Sequence, residues 1–172
     1  MSEREPTQAT NLDRYGSPAL AWSRARKALA NESPSRSITF FVGTVGPDGK
    51  PYAAGVGALW QDGYLYFTSG PGMRKARNLE ANPNCTFSVA LSGIDLVLEG
   101  TAARVTDEPT LQLIAARYRE AGWPAEVAGD AFTAPYSAPT AGPPPWHVYR
   151  FTPNLVTGVA TVEPHGATRW SF

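Results

Sequence analysis

The sequence predicts an α+β protein built around a small antiparallel β-barrel. Three observations carry that expectation. Five short runs rich in β-branched and aromatic residues lie between Ser37 and Val105, and two more follow Pro145. Tight turn signals separate neighbouring runs, at Gly46–Lys50, Gln61–Gly63 and Ser92–Gly93. Helical patterns are few, and they fall before, within and after the strand series.

Taken in order, Met1 to Gly16 is polar and aperiodic and reads as a flexible N-terminal segment, leaving 17–172 as a single domain. Pro18 opens a helix-forming stretch to Asn31, with Trp22, Ala25 and Leu29 on one side. Ser37–Val45 is the first strand, Pro51–Trp60 the second and Tyr64–Thr68 the third, joined by turns and therefore antiparallel. Ser69–Gly72 breaks the pattern before a short helix, Met73 to Ala81, which Asn82-Pro83 stops. Cys85–Leu91 and Ile94–Val105 are the next strands. Glu108–Glu120 carries Leu111, Ile114, Ala115 and Tyr118 on one face, an amphipathic helix. Ala121–Pro145 is a long Ala/Pro/Gly connection, of a length that more often covers a site or a partner than runs free. Trp146–Phe151 and Leu155–Val162 read as two closing strands. The tail from Glu163 to Phe172, with Arg169 and Trp170, reads as an exposed tail or an arm that reaches across a dimer.

Composition narrows the function. In 172 residues, 15 Lys+Arg balance 15 Asp+Glu, so the broad positive field that drives duplex binding is missing, and no nucleic-acid partner is expected. A barrel that binds single strands is disfavoured on the same ground. One cysteine, Cys85, and two histidines, His147 and His165, leave little from which to build a metal centre, and none is expected. No stretch approaches the roughly 20 apolar residues of a membrane helix, and Met1–Gln8 is polar. A soluble cytoplasmic protein without membrane partners is the expectation.

Two local patterns point to a ligand. On the strand Pro51–Trp60, Ala53, Gly55 and Gly57 share one face, which is nearly bare. Such a face either receives a planar ring, with exposed amides bonding to its polar edge, or lets the barrel bend or another strand pack against it. Next, the strand ending Phe67-Thr68-Ser69 runs through a glycine-containing loop into a helix that begins with Arg74, Lys75 and Arg77. Cations at a helix N-terminus oppose its dipole unless an anion lies between them, so this is a phosphate signal, with Thr68 and Ser69 as supplementary hydroxyl donors. The Gly-Lys-Ser/Thr ending of a nucleotide-binding loop is absent.

Over Ser37 to Asp107 the chain resembles the pyridoxamine-phosphate-oxidase-like flavin and deazaflavin oxidoreductases, which have a split β-barrel. The residues that carry the resemblance are Asp48-Gly-Lys-Pro51, Tyr64-Leu-Tyr-Phe-Thr68, Arg74-Lys-Ala-Arg-Asn-Leu-Glu-Ala-Asn-Pro83 and Leu98-Glu-Gly-Thr-Ala102. The resemblance implies Arg74 and Lys75 as phosphate ligands, Thr68 as a donor beside Phe67 and Ser69, and Gly55–Ala58 against the ring. The run Lys75-Ala-Arg-Asn-Leu79 is similar to the deazaflavin branch, in which Lys75, Arg77 and Asn78 would lie toward the cofactor. The implied cofactor is deazaflavin F420 or FMN. The implied activity is hydride transfer to or from a small-molecule substrate, in a homodimer with the cofactor at the subunit interface. No catalytic residue is named, because the cofactor carries such chemistry. A non-enzymatic flavin-storage or sensor protein is the alternative. The C-terminal substrate signature of pyridoxamine-phosphate oxidases is not recognisable, Met73 replaces a common serine, and 121–145 has no counterpart in the family pattern.

Overall fold

A computed structural model describes residues 3–172. These form, in order, β1 (Gln8–Asn11), α1 (Trp22–Glu32), β2 (Phe40–Val45), β3 (Pro51–Val56), β4 (Leu59–Gln61), β5 (Tyr64–Ser69), α2 (Arg74–Ala81), β6 (Asn84–Leu91), β7 (Ile94–Val105), α3 (Glu108–Glu120), β8 (Glu126–Ala128), β9 (Ala131–Thr133), β10 (His147–Ala160) and β11 (Ala167–Ser171). Every strand pair is antiparallel, and the class is α+β as expected.

Period-two burial builds the central sheet. β6 buries Cys85, Phe87, Val89 and Leu91 and exposes the residues between them; β7 does the same with Ile94, Leu96 and Leu98. Burial of each large side chain contributes about 1.5–3 kcal/mol, so a one-residue slip would forfeit several such terms at once. The sheet runs β1-β11-β10-β7-β6-β2-β3, with β5 branching from β10 and β4 pairing β5. β3 is therefore a free edge. Phe40, Val42, Leu65, Phe67, Phe87 and Phe151 fill the interior. α1 closes one end through Trp22, Ala25 and Leu29. α3 lays its predicted stripe on a second cluster with Leu59, Tyr66, Val105 and Val148. Asp107 caps α3 by accepting from the Thr110 amide at 3.0 Å, a contact worth about 1 kcal/mol.

Four differences from the sequence reading have physical causes. The second strand is two: pairing with β2 ends at Val56, and Leu59 then pairs with Tyr66. Ala58 and Trp60 turn into the core at 1% and 4% exposure. The two closing strands are one. β10 crosses Pro153, which has no N–H to lose from a ladder, and the register with β7 shifts there between Pro153 and Leu155. The tail is neither loose nor an arm, because Trp170 is buried and packs edge-on to Trp22 at 5.3 Å. Within the segment read as flexible, whose first two residues lie outside the described residues, Gln8–Asn11 pairs with β11 as an exposed edge strand.

Gly100 lies opposite Pro153, and a β-carbon there would run into the Thr152 carbonyl oxygen. Gly100→Ala is expected to lower unfolding free energy by about 1–3 kcal/mol, the range for overpacking. Urea denaturation checks this; a loss below about 0.5 kcal/mol would mean that β10 is not held against β7 at that point.

Candidate functional site

A cavity of about 850 Å³ opens between the free edge of β3, the end of β5, the start of α2 and the segment after α3. Its size is in the range of small-molecule and cofactor sites. Gly55, Val56 and Gly57 form one side, and nothing stands within 4 Å of where a Gly57 β-carbon would be. The bare face itself points elsewhere. Gly55 pairs with Phe41, which is half exposed, so Ala53 and Gly55 share the outer face of the sheet. What the cavity meets is the edge of β3, where half of the peptide groups have no strand partner.

Tyr118 fixes that edge. Its hydroxyl lies 3.0 Å from the carbonyls of both Gly57 and Tyr66 and donates its one proton between them. It thereby ties α3 to the break between β3 and β4 and to β5. Burial pushes its pKa well above that of ordinary tyrosine, so it stays a donor.

Thr68, Ser69 and Lys75 line the opposite side. Ser69 is buried and its hydroxyl donates to the Gly70 carbonyl at 3.1 Å, so its proton is already used. Thr68 is half-buried. α2 starts without a capping side chain and without an acid in its first turn, leaving its first amides available to a ligand. Lys75 is half-buried, and burial alone pushes its pKa below the ordinary 10.5; no carboxylate offsets it. The described cavity lining contains two cations, Lys75 and Arg36, and no acidic residue. Anions are favoured there.

The other predicted residues lie elsewhere. Arg74 stacks over the Tyr52 ring at 4.6 Å, outside the cavity. Arg77 is exposed on α2 and does not line the cavity. Asn78 is buried and donates to Thr44 Oγ1 at 3.0 Å, anchoring α2 to β2. Phe67 is core, stacked on Tyr149 at 5.3 Å. Ala58 is core as well.

The connection between α3 and β10 supplies what the sequence reading did not name. It forms the β8–β9 hairpin, then residues 136–141 cross the cavity as a strap. Trp123 and Trp146 line the cavity with their rings 5.8 Å apart. The length of this segment was the only sequence signal for the cover. Cys85 takes no part: it is buried, and burial pushes its thiol up to about 12.

Residues 27–160 match the family model described as pyridoxamine 5'-phosphate oxidase. No curated protein matches the sequence. Solved structures share the fold. A NimC/NimA family protein from Clostridium acetobutylicum superposes with TM-score 0.58 at 18% identity, covering 86% of this chain and 90% of that one. A pyridoxamine 5'-phosphate oxidase-related, FMN-binding protein from Nostoc punctiforme gives 0.56 at 17% identity, covering 86% and 89%. A protein named F420 reductase gives 0.52 at 21% identity, covering 76% and 94%. The architecture is a split β-barrel.

Lys75 also makes a pH prediction. Its folded pKa lies below 10.5 and its unfolded value at 10.5, so between the two the unfolded chain holds more protons and stability rises with pH. The ligand-free protein is expected to gain stability relative to Lys75→Met as pH climbs toward 10.5. Urea midpoints at pH 7 and 10 check this, and a constant difference would contradict the buried-cation assignment.

Proposed function

The chain belongs to the pyridoxamine 5'-phosphate oxidase family, and from that premise we propose that it is an oxidoreductase using FMN or deazaflavin F420 and acting on a small organic molecule. One observation carries the reading. A half-buried lysine without a counter-charge sits at the uncapped start of α2, across a cavity from an unpaired strand edge. That pairing suits a ligand with a phosphate at one end and a planar ring with polar edges at the other. Lys75, Thr68 and the first amides of α2 would hold the phosphate; the β3 edge at Gly55–Gly57 would face the ring.

When bound, the cofactor supplies the hydride chemistry. The chain's own residues position and enclose. Tyr118 holds the β3 edge in place, and the strap lines the cavity beside it. Thr68 lines the cavity, whereas Ser69 holds its hydroxyl on the Gly70 carbonyl and Arg77 and Asn78 need a rearrangement to reach a ligand there. Of the further cations near enough in sequence to suit an acidic deazaflavin tail, Arg24 donates to the carbonyls of Gly93, Val162 and Pro164, and Arg26 pairs with Glu3 and Glu5. Arg36 remains at the cavity. This is compatible with either cofactor. The reading includes a cytoplasmic setting. Among the described residues no helix is long and apolar enough to cross a membrane.

The reading also includes a homodimer. Phe41, Val97 and Val159 are 50%, 46% and 48% exposed on the outer face of β2, β7 and β10. Phe41 and Val97 both pair with Ser88, which sets them on one face. A second copy of the chain is the occupant this face suits, next to the strand whose edge borders the cavity.

Titration with FMN and with riboflavin, which lacks the phosphate, separates the two halves of the proposal. Lys75→Gln is expected to weaken FMN by about 10-fold or more, the loss of one charge-assisted contact, and to change riboflavin less than about twofold. Arg74→Ala is expected to change FMN by less than about threefold. Equal effects of Lys75→Gln on both ligands, or tight FMN binding in that variant, would put the phosphate elsewhere. F420 titrated in parallel identifies the cofactor, and turnover of the reduced form with an acceptor panel separates an enzyme from a storage or sensor protein. Phe41→Glu is expected to halve the mass seen by light scattering while the circular dichroism stays unchanged. An unaltered mass would remove this face as the dimer contact.

A further inference from the structure

The strap divides the cavity's two cations. Near its far end, the Ala141 carbonyl oxygen would touch a β-carbon at Gly70, 3.0 Å away, so residue 141 lies against the loop that leads to Lys75. Near its start, the Tyr136 hydroxyl donates to the Gly122 carbonyl at 3.2 Å, and the Tyr136 carbonyl accepts from Trp123 Nε1 at 2.7 Å. Arg36 reaches the same Gly122 carbonyl at 3.4 Å. The two ends of the strap are five residue steps apart, a reach of up to ~17 Å when extended.

We propose that the Arg36 end is a second compartment that takes a planar organic anion, an aromatic carboxylate or sulfonate, as the substrate. This rests on the reading that the Lys75 end holds the cofactor phosphate. Three features argue for it. Arg36 has five donors and spends one on a long contact to Gly122, and among the described residues it has no ion-pair partner. Trp123 and Tyr136, joined by a hydrogen bond, line the cavity beside it, and aromatic walls favour a flat ligand. The described lining holds no carboxylate that would repel an anion or satisfy the guanidinium. A neutral flat molecule would use the walls and leave the cation idle. An anion with a ring uses both, and guanidinium-carboxylate pairing is directional as well as strong.

The test uses the full-length protein and two probes with one aromatic framework. 8-Anilinonaphthalene-1-sulfonate carries the anion; N-phenyl-1-naphthylamine lacks it. Both are titrated by fluorescence into wild type, Arg36→Gln, Arg36→Lys and Trp123→Ala, each verified as folded by circular dichroism. The proposal expects Arg36→Gln to weaken the sulfonate probe by about tenfold and the neutral probe by less than about twofold. Arg36→Lys should recover part of the loss, and Trp123→Ala should weaken both probes. FMN affinity should not change in Arg36→Gln. Equal sulfonate binding in wild type and Arg36→Gln overturns the proposal, because the anion then sits elsewhere. Loss of FMN or F420 affinity in Arg36→Gln without a selective effect on the sulfonate probe also overturns it, assigning Arg36 to the cofactor. Should wild type bind neither cofactor while the probe pattern holds, the cofactor reading fails and the anion compartment stands.

Discussion

The architecture depends on one strand that changes partners. One edge of β10 pairs with β7 from Val148 to Ala160. Its other edge pairs first with β5, at His147–Phe151, and then with β11, at Leu155–Val159. The exchange takes place around Pro153, where a residue without an N–H can leave the ladder at little cost. Arg4 and the C-terminus secure the point from outside, through Arg4 Nη1 to the Pro153 carbonyl at 2.9 Å and the Phe172 amide to the Asn154 carbonyl at 3.0 Å. Gly100 allows the close approach from the β7 side.

The site follows from that exchange. Because β5 leaves the sheet with the first half of β10, its end and the helix α2 stand apart from the edge strand β3, and a cavity opens between them. Tyr118 bridges the two sides from below through the carbonyls of Gly57 and Tyr66. The strap between α3 and β10 lines a further side of the cavity. Lys75 is thereby kept partly out of water, and no carboxylate lines the space between it and the exposed Arg36. That arrangement costs the ligand-free protein stability and is offset only when an anion enters.

The sequence made legible whatever depends on short-range pattern. Leu111, Ile114, Ala115 and Tyr118 recur at helical spacing, and the alternation is complete in β6 and holds over Ile94–Glu99 in β7, so α3 and both strands stand where periodicity places them. The basic start of α2 was visible in the sequence because a cation at a helix start works against the dipole. Long-range contacts decided the rest. β11 exists because Trp170 finds Trp22 in a helix near the other end of the chain. β10 looked like two strands because an internal proline ordinarily ends one. Asn78 looked like a ligand by its place in the motif, yet its amide is spent on Thr44. Arg36 carried no local signal, since the cavity beside it is made by a segment about a hundred residues away.

The most direct measurement is a crystal structure of the protein soaked with FMN. The account predicts the phosphate within hydrogen-bond distance of Lys75 Nζ and the α2 amides, with the ring edge along Gly55–Gly57 under residues 136–141. A phosphate bound away from Lys75, or a ring lying on the outer face beside Phe41, would contradict it.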